Sequence, residues 1–142
     1  VIALADDSAC EDTPALRVTL ERGPLAPSRA RAALADFTHK GEFAAAELDT
    51  LKLLVSELVS NAVLHSDAPS SSGILLCARC LGHEALRVEV TDEGSGFIAA
   101  PRDPSRLTGG YGLFLVAQQS HRWGIDREGG TRVWFEIRRP AG

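Results

Sequence analysis

Methionine is absent from the 142 residues, lysine occurs only at Lys40 and Lys52, and tyrosine occurs once. Each scarcity closes off a chemistry. A lysine that grips phosphate follows a glycine-rich turn in a Walker A loop, and neither Lys40 nor Lys52 does. Three cysteines are too few for a disulfide framework. Cys10 stands alone, and Cys77 and Cys80 form one C-x-x-C without the second ligand pair that tetrahedral zinc requires. They read as small core or edge residues in a reducing compartment, with a redox or adventitious metal role as the alternative. No apolar run nears the roughly 20 residues that span a bilayer. The opening VIALADDSAC has no basic flank, which argues against a secretory signal. Basic charge is also short: 15 Lys+Arg against 19 Asp+Glu leave a formal net charge of −4. That balance disfavours nonspecific attraction to nucleic acid or to an anionic membrane. The expected location is the cytoplasm. With no methionine at position 1 or elsewhere, the chain reads as processed or cut from a longer one.

Other signatures are missing too. No G-x-G-x-x-G lies between a strand and a helix, so the dinucleotide-binding fingerprint fails. There is no G-x-S-x-G elbow for a hydrolase. His121-Arg122 begins like a protein-kinase catalytic loop, but Trp123 stands where that loop needs aspartate.

What is present is the material of one folded domain. Hydrophobic residues make up 44% and charged residues 24%, enough apolar surface to build a core. Residues 1–14 read as an acidic tail, and 15–140 as a single domain. Ala15–Arg22 alternates apolar and polar residues and predicts a strand. Ser28 is the expected N-cap of a helix running to about Lys40, which Gly41 ends. A longer helix is expected from about Ala44 to His65, with Leu51, Leu54, Val55, Leu58 and Ala62 at core-facing spacing. Two strands follow, Gly73–Leu81 and Ala85–Thr91. After a Gly/Pro/Arg-rich loop comes a helix from about Tyr111 to Ser120. Strands at Trp123–Arg127 and Thr131–Arg138 close the chain, joined by the hairpin signal Glu128-Gly129-Gly130. This order predicts an α/β (α+β) two-layer sandwich, a mixed, mainly antiparallel sheet with helices on one face.

Polar residues stand out at three places along this framework. Glu57, Asn61 and His65 fall at i, i+4 and i+8 on one side of an otherwise apolar helix. A carboxylate and an amide so placed cost free energy unless they meet partners, although a solvated stripe would look the same. Asp92 closes a strand and is followed by Glu93-Gly94-Ser95-Gly96. Such glycines admit close approach to a flat ligand, and a buried acid there can accept a hydrogen bond from an exocyclic amine such as that of adenine. An ordinary loop is the alternative. Thr108-Gly109-Gly110-Tyr111-Gly112-Leu113 runs directly into an apolar helix, whose first N–H groups would face an anion such as phosphate. A hinge is the alternative.

In this order the three motifs resemble the GHKL superfamily of gyrase, heat-shock chaperone, histidine kinase and mismatch-repair ATPases, over about residues 15–138. The form SELVSNAVLHS, the helix GLFLV followed by HRWGI, and the closing GGTRVWFEI are most similar to bacterial anti-sigma factor serine/threonine kinases. The resemblance implies a Bergerat-type ATP-binding fold. It implies that Asn61 coordinates Mg²⁺, that Glu57 is the general base, and that Asp92 receives the adenine amino group. Gly94 and Gly96 would shape the adenine pocket. Gly110, Tyr111, Gly112 and Leu113 would form the phosphate-facing helix start, and Thr131 would support Asp92, usually through a water. His65 would lie at the edge of the site. Ile98–Thr108 would be the ATP lid, with Arg102 and Arg106 in reach of a terminal phosphate or a partner. The implied activity is Mg-ATP-dependent phosphorylation of an anti-anti-sigma (STAS-type) protein, with sequestration of a sigma factor and a homodimeric assembly. The competing readings are the ATP-binding half of a histidine kinase, or a non-catalytic ATP-binding module.

Overall fold

The computed structural model describes residues 15–39, 45–69, 71–82, 85–94, 111–127 and 129–138. The element order is β1 (Ala15–Leu20), α1 (Ala26–His39), α2 (Ala45–His65), β2 (Ile74–Leu81), β3 (Ala85–Asp92), α3 (Tyr111–Gln119), β4 (Arg122–Asp126) and β5 (Thr131–Arg138). The strands form one sheet in the order β1-β2-β3-β5-β4. The sheet, expected to be mixed but mainly antiparallel, is antiparallel in every described pairing.

Strand alternation explains which face is covered. Leu16, Val18 and Leu20 of β1, Ile74, Leu76 and Ala78 of β2, Leu86, Val88 and Val90 of β3, and Val133, Phe135 and Ile137 of β5 join the core. Against them pack α1 through Ala26, Ala30 and Leu34, and α2 through Leu51, Leu54, Val55, Leu58, Val59 and Ala62. The α2 residues recur every three or four positions, which makes one apolar stripe along the helix. The opposite face carries Arg17, Cys77, Arg79, Arg87, Glu89, Arg132, Trp134 and Glu136, with no helix on it among the described residues.

One local expectation fails. Helix α1 is already running at Ala26, so Ser28 is not its N-cap. The Ala26 N–H bonds to the Gly23 carbonyl (3.1 Å), and the Ser28 hydroxyl donates back to the Leu25 carbonyl (3.0 Å). Pro27 explains the early start: in a first turn its missing N–H loses nothing, and its fixed φ suits the helix. Strand ends move by a residue or two, β1 stopping at Leu20 rather than Arg22. The expected tail, residues 1–14, lies outside the described residues.

The topology brings four chain segments to one end of the sheet. In register, Leu20 faces Ile74, Ile74 faces Asp92, and Asp92 faces Thr131. The C-terminal turn of α2 and the loop after it, residues 66–69 and 71–73, close over this end.

Candidate functional site

Helix α2 supplies Glu57 and Asn61 one turn apart. Its apolar stripe locks onto the sheet, so its rotation is set and these two side chains keep a defined direction. A contact with α1 helps: Arg31 Nη1 donates to Ser56 Oγ (2.7 Å), whose hydroxyl donates to the Lys52 carbonyl (2.6 Å). Glu57 is half-buried. Asn61 is 7% exposed, and its Nδ2 is enclosed without a hydrogen-bond partner among the described residues. A buried amide left unsatisfied costs about 1–3 kcal/mol. Folding alone gives no reason to keep one there.

Strand β3 ends on Asp92, which is 1% exposed. A buried carboxylate requires compensation, and it has three sources. Arg22 Nη2 pairs with Oδ1, Ser66 Oγ donates to Oδ2, and the Gly94 N–H donates to Oδ2 (3.3 Å). A carboxylate offers about four lone-pair sites, so capacity for one more donor remains. Thr131, fully buried on the neighbouring strand, donates its hydroxyl to the Gly94 carbonyl (3.1 Å). That fixes the backbone two residues beyond the acid. In register Thr131 also faces Asp92 across the β3–β5 ladder, beside the acid it was expected to support.

Two glycines are required by close approach. A Cβ on Gly94 would strike Ser66 Oγ, and would come within 2.6 Å of Asp67 Oδ1 and 3.0 Å of the Ala68 nitrogen. Gly130 has φ +130°, and a Cβ there would lie 2.6 Å from the Asp92 carbonyl. Both contacts are against Asp92 or residues packed around it, so both glycines allow that close packing.

Helix α3 packs on α2 and begins at Tyr111. Its first N–H groups, at Tyr111, Gly112 and Leu113, lack partners within the helix, as at every helix N-terminus. The side chains of Tyr111 and Leu113 and of His65, together with Gly96, Gly110, Arg102, Arg106 and the expected lid Ile98–Thr108, lie outside the described residues. The structure thus brings Asp92, Gly94 and Thr131 together at one sheet end. It places Glu57 and Asn61 on the adjoining helix, whose Ala62 carbonyl reaches the same cluster through Arg22 (2.6 Å).

Sequence reading missed Arg22 and Ser66. The available signal was the buried acid itself, which had to find donors. Among the described residues no three His, Cys, Asp or Glu side chains gather as a metal cage. Magnesium held through one amide oxygen, waters and the ligand's own phosphates needs none, and the side-chain oxygen of Asn61 is a donor atom of that type.

Comparison with known proteins agrees with this geometry. Residues 24–137 match the histidine kinase-like ATPase domain family. A stretch of 69 residues is 36% identical to the anti-sigma F factor of Clostridium acetobutylicum, covering 49% of this chain and 48% of that protein. The chain therefore spans about half the length of this curated relative. The solved RsbU and RsbW domains of a Mycobacterium tuberculosis protein superpose with a TM-score of 0.71 at 26% identity, over 91% of this chain and 34% of that one. The histidine kinase domain of a blue-light activated kinase from Erythrobacter litoralis shares the fold, with a TM-score of 0.52 at 24% identity over 84% of this chain and 63% of that one. No helix among the described residues is long and apolar enough to cross a membrane. With the family match covering most of the chain, and a GHKL-type fold shared with an RsbW domain, the protein belongs to the histidine kinase-like ATPase domain family, close to its anti-sigma kinase members.

Proposed function

We propose that this domain binds Mg-ATP and transfers the terminal phosphoryl group to a serine or threonine hydroxyl of a small anti-anti-sigma (STAS-type) protein. In the absence of that partner it would hold a sigma factor as a homodimer. The observation that carries the reading is the pairing on α2 of a half-buried Glu57 with the buried, unsatisfied amide of Asn61, one turn apart. The enclosed Nδ2 is a donor suited to a phosphate oxygen, and the oxygen of the same amide would be the magnesium ligand. The likeness to an anti-sigma F factor and to an RsbW domain supports the choice of partner class.

Each residue then has a task. Asp92 accepts the exocyclic amino group of adenine, and Gly94 and Gly96 admit the ring. The helix start Gly110–Leu113 offers N–H groups to the phosphates. Asn61 holds the magnesium ion, which would supply neutralisation of phosphate charge. Glu57 takes the proton of the attacking hydroxyl as its oxygen bonds to the terminal phosphorus, and the bond to the leaving ADP oxygen breaks. Arg102 and Arg106 would pair with the terminal phosphate, and His65 would border the mouth.

The test uses the purified chain, labelled ATP, magnesium and candidate STAS-type proteins. Acid-stable label on a partner serine or threonine is the expected result. Acid-labile label would instead indicate histidine-kinase chemistry, and binding without transfer an interaction module. Glu57→Ala should keep nucleotide affinity within about threefold and lose transfer by a factor of about 100 or more, the span of general-base catalysis. Full phosphotransfer by that variant would remove Glu57 from its role.

A further inference from the structure

Arg22 is the buried residue whose bonds exceed what its position in the fold calls for. It lies two residues beyond β1, and its side chain is 7% exposed. Nε donates to the Ser72 carbonyl (3.1 Å), Nη1 to the Ala62 carbonyl (2.6 Å), and Nη2 to Ser72 Oγ (3.2 Å) and to Asp92. One guanidinium thus joins the end of β1, the last turn of α2, the loop before β2 and the end of β3. Ala62 follows Asn61 directly, and its carbonyl is one of the last four of the helix, which lack intrahelical donors. A cation is also favoured at that negative helix end.

We propose that Arg22 is the positioning residue for base recognition: it holds Asp92 as an acceptor aimed at the ligand, and so makes the site prefer a 6-aminopurine to a 6-oxopurine. The inference rests on the nucleotide reading above. Its logic is that of donors and acceptors. An ionised carboxylate only accepts, so it suits the amino group of adenine and opposes the carbonyl oxygen of hypoxanthine. A fully buried carboxylate needs a countercharge, and among the described residues Arg22 is the cation that touches it. The planar fork matters as much as the charge. Its donors go to acceptors on two segments besides Asp92's, which leaves the carboxylate one fixed orientation. Ser66 and the Gly94 N–H engage the second oxygen, so Asp92 cannot turn to follow a different base.

The experiment measures binding of ATP and of inosine triphosphate, each with magnesium, by calorimetry on wild type, Arg22→Gln and Arg22→Lys. The two nucleotides differ only at the base, so their affinity ratio isolates base reading from phosphate and metal contacts. Wild type is expected to favour ATP by on the order of 100-fold or more. In Arg22→Gln the ratio should fall by about tenfold or more, the worth of a hydrogen bond to a charged group, while inosine triphosphate binds at least as well as before. In Arg22→Lys, which keeps the charge but loses the fork, the ratio should fall partway, by roughly threefold. A purely structural role would weaken both nucleotides equally. An unchanged ratio in whichever variant folds therefore overturns the inference while leaving the nucleotide reading intact. A wild-type chain that binds neither nucleotide overturns both.

Discussion

Two buried arginine–carboxylate pairs occupy different places in this sheet, and they are built differently. Arg87 and Glu136 are direct cross-strand partners on β3 and β5, joined at 3.0 Å on the face without helices. Arg22 and Asp92 come from β1's exit and the end of β3, with β2 between those strands. The first pair belongs to a closed surface network. Arg87 also bonds Glu89 at 2.9 Å, Glu136 faces Arg122 at 3.6 Å, and Arg132 links Glu89 to Asp126. The Arg87 guanidinium lies 4.0 Å from the Trp134 ring centroid, so its remaining positive charge rests on an indole face. Trp134 in turn lies on Gly124, where a Cβ would meet the ring at 2.6 Å. Buried donors without a partner occur in both regions, Nη2 of Arg87 and Nε of Arg132 on the open face and Nδ2 of Asn61 on α2. What sets the sheet end apart is its acid: Asp92 accepts three hydrogen bonds and keeps capacity for one more donor.

The sharpest way to break this contrast is at Arg87. Arg87→Met should destabilise the fold by about 3 kcal/mol, read by urea denaturation, because Glu136 is left 4% exposed with a more distant cation. Arg87→Met with Glu136→Leu should return most of that loss, since an apolar pair avoids the desolvation penalty altogether. A double variant as unstable as the single one would show that the pair is more than a packing device. Nucleotide affinity should be unchanged in both, because the network lies away from α2 and Asp92.

Asn61 gives the opposite pattern and a smaller change in stability. Asn61→Ala removes the enclosed amide together with its unmet hydrogen-bonding need, so stability should hold within about 1 kcal/mol or rise. Binding of Mg-ATP should be lost in the same protein. A large drop in stability on this substitution would mean that the amide is a structural group, and the contrast between the two regions would fail.

How far these regions could be read from sequence follows from the range of their contacts. The strands Ala85–Thr91 and Thr131–Arg138 were legible, because a period of two needs only neighbouring residues. Helical spacing likewise put Glu57 and Asn61 on one side of α2. Asp92 was legible as a strand-ending acid before two glycines. Arg22 was not, because its link to Asp92 spans 70 positions and depends on β1 and β3 flanking β2. Read as the last residue of a strand, it looked like a solvated charge. Ser28 misled for a local reason: a serine beside Pro27 has the composition of a cap, yet proline had already opened the helix. Thr131 was expected beside the acid, and its hydrogen bond to the Gly94 carbonyl is a contact that no pattern of residue types encodes.

The least effect is expected at Cys77, on the open face between Arg17 and Glu89. Burial pushes its thiol above the ordinary 9.0. Arg17, whose Nη1 lies 3.6 Å from the sulfur, pulls it down, while Glu89 adds to the rise. The thiolate is the reactive form, so alkylation of Cys77 at pH 8 should be slower than that of an unfolded-peptide cysteine, with a pH–rate midpoint above 9.0. The linkage has a definite sign. The folded state holds this proton more tightly than the unfolded chain, so the neutral thiol's contribution to stability is fully present below 9.0 and declines as pH rises through the folded value. Arg17→Ala removes the larger of the two arginine influences that favour the thiolate, the other being Arg79, and should move the midpoint further up. Mass spectrometry can follow the two sites separately, because cleavage after Arg79 puts Cys77 and Cys80 on different peptides. A midpoint below 9.0 in wild type would mean that the arginines of this face act on the sulfur more strongly than burial does. The open face would then be an electropositive surface rather than a closed packing network.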